Sequence, residues 1–132
     1  MAKTRSELRE KIMIILYQWE IFKKTQENVM TIDEIIDNNM EIENDFVKDV
    51  VYGVVTHQVE IDELANKYMT DWSIDRLDKT GSAILRMGVF ELKYTDTPDV
   101  VVINEAVELA KKYSDDNVRK IINAVLDKII KE

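Results

Sequence analysis

The 132-residue chain has no cysteine, one proline (Pro98) and three glycines (Gly53, Gly81 and Gly88). Without cysteine there is neither a disulfide framework nor a thiolate metal site. Three isolated glycines build no phosphate-cradling loop. Scarcity of both helix breakers points to an all-helical protein. Histidine occurs once, as His57. It has no second histidine one helical turn away, so neither a zinc site nor a nucleophile–base pair is expected. No run of about 18 apolar residues exists to span a membrane. The polar start "MAKTRSELREK" lacks the apolar segment of a signal peptide. A cytoplasmic protein without cofactor is the default expectation.

What is present is a large apolar fraction, 45%, enough to give one domain a core. Net charge is −8, which taken alone argues against nucleic acid. Its distribution says more. Residues 1–24 carry a net +3, residues 25–78 a net −11, and residues 79–132 balance. The first helix is the only locally basic segment.

Thr4-x-x-Glu7 is a capping box, in which hydroxyl and carboxylate each satisfy an orphan N–H. Behind it Leu8, Ile12, Ile15, Leu16, Trp19 and Phe22 recur at helical spacing, with Met13, Tyr17 and Ile21 as a second stripe. A helix apolar on two sides is expected at the centre of the fold or against a partner. Met13 and Tyr17 are candidates for a homodimer contact. Thr31-x-x-Glu34 caps a second, short helix to about Asn39. From about Asn44 a long helical pattern runs through Phe46, Val47, Val50, Val51, Val54, Val55, Ile61, Leu64 and Tyr68. A turn near Ser73 leads to a helix from about Lys79. Pro98 opens the next, which ends near Tyr113, and Ser114-Asp115-Asp116 supplies the turn and cap of the last. Six to seven helices in two packed bundles follow. A soft boundary near residues 70–78 divides the single domain 1–132 into halves of about 1–72 and 73–132.

Within "INEAVELAKKY", Ile103 to Tyr113, Glu105 and Glu108 stand three residues apart, as an acid–base pair could. Ordinary helix polarity accounts for them better. Glu108 precedes Lys112 in the favourable i, i+4 order. Asn104 and Glu105 lie near the apolar stripe, where a structural hydrogen-bond network reaching Arg86 or Glu91 by way of water is expected. The residues by themselves indicate no enzyme.

Three stretches in series resemble the NusB family of bacterial transcription antitermination factors: "LYQWE" (Leu16–Glu20), preceded by Arg5 and Arg9; "WSIDRLDKTGSAILRMGVFEL" (Trp72–Leu92); and "VVINEAVELAKKYSDDNVRKIINAVLDKI" (Val101–Ile129). The resemblance covers nearly the whole chain. It implies an all-α fold of two helical bundles without catalysis. It also implies pairing with NusE, a small-subunit ribosomal protein, and binding of boxA RNA by the pair within an RNA polymerase antitermination complex on ribosomal RNA operons. The RNA-contacting segments it implies are the basic start of helix one, here Lys3, Arg5 and Arg9, and the opening of the last helix, here Asn117, Lys120, Ile121 and Asn123.

Three departures from the family pattern stand out. Glu7 interrupts the arginines and repels phosphate. Ile121 in "KIIN" replaces a phenylalanine and removes a stacking face. Thr80-Gly81-Ser82 stands where an acidic residue is typical. Gly81 is expected to cost about 1 kcal/mol relative to alanine. These departures raise an alternative: a protein-interaction module of the same fold with weakened or lost RNA binding.

Overall fold

The computed structural model describes residues 3–25 and 30–132. Seven α-helices and one 3-10 turn form it, with no strand among the described residues. They are α1 (Arg5–Phe22), α2 (Ile32–Asn39), α3 (Asp45–Thr56), α4 (Gln58–Lys67), α5 (Lys79–Tyr94), α6 (Asp99–Tyr113) and α7 (Asp116–Ile130), with the 3-10 turn at Ile74–Arg76 between α4 and α5.

Local chemistry explains where the helices begin. Both capping boxes form, Thr4 with Glu7 and Thr31 with Glu34. Asn44, Asp78 and Asp115 each accept one backbone N–H at the starts of α3, α5 and α7. Pro98 is the cap residue of α6 rather than its first helical residue.

The long helical pattern after Asn44 is kinked into two helices at His57. Its backbone leaves the helical basin (φ −104°, ψ 17°), and its ring stacks on Tyr94 at 4.3 Å. The hydrogen bonds on either side persist, His57 N–H to Gly53 and Ile61 N–H to His57. The apolar stripe therefore passes through the kink in phase, from Val54 to Ile61 and Ala65.

The most enclosed helix is α5, not α1. From Gly81 to Glu91 every residue of α5 is buried, and it packs against α1, α3, α4, α6 and α7. Around it lies one continuous apolar core drawn from all seven helices. Met13 faces that core, 2% exposed, so it offers nothing to a second copy of the chain.

Two guanidiniums are sunk into the core and paired with carboxylates. Arg86 on α5 donates from Nε and Nη2 to Asp62 on α4 at 2.8 and 3.0 Å. It also lies 3.4 Å from Glu20 of α1 and from Asp75 of the 3-10 turn. Arg9 on α1 pairs with Glu91 on α5. Among the described residues no buried side-chain nitrogen or oxygen lacks a partner, as burial demands.

Candidate nucleic-acid interface

The start of α1 is exposed from Lys3 through Glu7. Arg5 makes no ion pair among the described residues, and the two acids that follow it on α1 are engaged elsewhere. Glu7 accepts from the backbone N–H and hydroxyl of Thr4 at 3.3 and 3.1 Å. These bonds hold its carboxyl below the usual carboxylate range, so it stays ionised. Glu10 accepts from the Tyr113 hydroxyl and from Lys112 Nζ at 3.0 Å, and both contacts lower its pKa. Arg5 instead lies over the ring of Phe46 on α3, its Cζ 4.1 Å from the ring centroid. Such a contact attracts a cation to the negative ring face.

Arg9, expected beside Lys3 and Arg5, is buried rather than exposed with them. It is 3% exposed. Its Nε and Nη2 donate to the two Glu91 oxygens at 2.9 and 2.7 Å, and it touches the same Phe46 ring from 5.3 Å. Its burial and its pairing with a carboxylate keep this guanidinium from the exposed surface.

The second expected segment opens α7. Asn117, Lys120 and Asn123 are exposed and Ile121 is half-buried, packed against the core. The segment is joined to α1 through the end of α6. Glu10 holds Lys112 and Tyr113. The next residue, Ser114, donates to both carboxylate oxygens of Asp78 at 3.0 Å. Asp115 then caps α7 through the Val118 N–H at 2.8 Å. Arg119 pairs locally with Asp116 at 3.5 Å, leaving Lys120 as the outward cation of this turn.

One side-chain expectation for α6 is corrected. Glu108 pairs with Lys111 at 3.3 Å rather than with Lys112, because Lys112 is drawn to Glu10. Glu105 accepts directly from the Ser6 hydroxyl of α1 at 2.7 Å. Both carboxylates border a shallow groove between α1 and α6 with Ser6, Glu10 and Lys112. Glu105 ties α6 to α1 through Ser6, while Glu108 pairs within α6.

Gly81, expected to weaken α5, is required by packing. A Cβ there would lie 2.6 Å from Val118 Cγ1 of α7 and 2.4 Å from the Asp78 carboxylate that caps α5. Phe46 and the Glu10–Tyr113 contact escaped sequence reading. Phe46 reads as one more residue of an apolar stripe, and nothing local in the sequence signals that two arginines from another helix share its ring.

The comparisons with known proteins agree with this architecture. The NusB family profile matches residues 6–131. A transcription antitermination protein NusB from Staphylococcus epidermidis is 42% identical over 130 residues, covering 96% of this chain and 98% of the relative. Among solved structures, T. maritima NusB superposes with a TM-score of 0.84 at 29% identity, covering 100% of this chain and 94% of that one. A chain from a structure of antitermination factors NusB and NusE with dsRNA gives 0.82 at 31% identity, covering 99% and 98%. A sequence match spanning nearly every residue, together with the same helical architecture, places the chain in the NusB family.

Proposed function

We propose that the chain is a transcription antitermination factor that acts by binding rather than catalysis, engaging boxA RNA jointly with NusE in the cytoplasm. The observation that carries the RNA part is the exposed, unpaired cationic start of α1, Lys3 and Arg5, on a chain whose relative is described in complex with NusE and RNA. Asn117, Lys120 and Asn123 add neutral donors and one cation at the opening of α7. Ile121 supplies apolar contact there without an aromatic face. Few free cations mean few phosphate contacts, so binding by the chain alone is weak and falls with salt. A partner that contributes its own cations strengthens it.

Affinity for boxA RNA, measured with and without NusE at two salt concentrations, tests this. The expected result is weak, salt-sensitive binding that NusE strengthens. No binding in any combination overturns the RNA half of the reading.

One observation favours the second reading, an interaction module with diminished RNA binding. Arg9 is committed to Glu91, and Glu7 places a negative charge beside Arg5. RNA-dependent assembly with NusE that is unchanged when Lys3, Arg5 and Lys120 are all replaced by alanine would select that reading.

A further inference from the structure

The start of α1 is poorly built for phosphate. Of its free N–H groups, the usual attraction of a helix N-terminus for anions, that of Glu7 is taken up by the capping box, donating to the Thr4 hydroxyl at 3.1 Å, while Thr4 N–H donates to the Glu7 carboxylate at 3.3 Å. Glu7 itself is ionised within the same turn. An anion approaching Arg5 meets that charge; an uncharged aromatic base does not.

Arg5 is well built for a base. Phe46 is half-buried and packs against the core, next to Val47, which is sealed from solvent. Arg9, itself locked by Glu91, also lies near the ring, its Cζ 5.3 Å from the centroid. Arg5 holds its Cζ 4.1 Å over the ring centroid and is itself an exposed residue, so the ring holds a guanidinium that solvent can still reach. Unpaired RNA bases stack on guanidinium planes as they do on aromatic rings. An arginine already held on a ring loses less freedom on binding than one waving in solvent.

We infer that Phe46 is a positioning residue for RNA, holding the Arg5 guanidinium over its ring so that the guanidinium stacks on an unpaired base. The inference rests on the reading of the α1 start as an RNA-contacting surface. It adds that Arg5 reads a base rather than a phosphate, and that a residue on α3 with no RNA contact of its own sets the affinity.

The test is a titration of single-stranded boxA RNA, with NusE present, against the wild type and the Arg5→Ala, Arg5→Lys, Phe46→Leu and Phe46→Tyr variants. A set of the same RNA with one base at a time removed is titrated in parallel. Arg5→Lys keeps the charge and loses the plane. Arg5→Lys and Phe46→Leu should each weaken binding about fivefold with the salt slope unchanged, the size of one cation–π or stacking contact. Phe46→Tyr should bind as the wild type does. Removing one particular base should weaken the wild type by a similar factor and leave Arg5→Lys and Phe46→Leu unaffected. Melting curves accompany each variant; if Phe46→Leu does not fold, Arg5→Lys with the base-removal series decides alone. Wild-type affinity in Phe46→Leu and Arg5→Lys, with Arg5→Ala weakened, overturns the inference and leaves the α1 surface standing as a phosphate contact. Wild-type affinity in every variant overturns both.

Discussion

Arg9 and Glu91, 82 positions apart in sequence, meet as a two-pronged ion pair with both side chains nearly sealed from solvent. It joins α1 to the most enclosed helix, and Thr97 donates a further bond to Glu91 at 3.3 Å. Removing one member leaves the other charge buried and unmatched. Arg9→Ala or Glu91→Gln should therefore destabilise the fold by about 3–5 kcal/mol, read from urea unfolding. Replacing both with apolar residues of similar volume should cost far less. If Arg9→Ala unfolds at the wild-type urea concentration, the pair is not holding the helices together.

Lys120 should behave as a phosphate contact. Lys120→Ala is expected to weaken RNA binding and to reduce the salt dependence, log K against log salt, by about 0.7. Folding should be unaffected, since the side chain is exposed. An unchanged slope would remove Lys120 from the interface.

Gly81→Ala sets two effects against each other. Helix propensity favours alanine by about 1 kcal/mol. The methyl, however, would press into Val118 at 2.6 Å and the Asp78 cap at 2.4 Å, and overpacking of this kind costs about 1–3 kcal/mol. The net expectation is a lower melting temperature, partly restored by a second change, Val118→Ala. A more stable Gly81→Ala would mean the two helices part without cost.

Acid should loosen the end of α7. The Tyr68 hydroxyl and Lys93 donate to Glu132, and with the charges of Lys93 and Lys67 they lower its carboxyl from 4.5 to about 2. A carboxyl depressed by folding stabilises the native state fully above its unfolded value. That stabilisation is lost as pH falls from about 4.5 to about 2. The wild type should therefore melt higher than Glu132→Gln at neutral pH, with the gap closing across this window. A gap that persists at the acid end would place the stabilisation elsewhere.

The helices were legible because their signals are local. Thr4 and Thr31 announce their caps within four residues, and Val118, Ile122, Val125 and Ile129 mark one face of α7. The kink at His57 was not legible, since the apolar stripe crosses it in phase. Lys112 illustrates why side-chain partners are harder: sequence spacing offered Glu108, but Glu10, 102 positions away, lies closer in the fold. The identity of the basic segment could be read from charge alone. Which of its arginines faces outward depended on Glu91 and Phe46, and no local pattern reveals either.

The unbroken burial of α5 from Gly81 to Glu91 has a consequence for backbone hydrogen exchange. Amides in a helix wrapped by five others exchange only when the whole molecule opens, so their slowest rates report global stability. The eight-residue α2 buries only Ile35 and Ile36 and can open by itself. Deuterium should enter α2 long before α5. A ligand on the α1 and α7 surface should slow exchange in α5, which it never touches, by the full free energy of its binding to the native state.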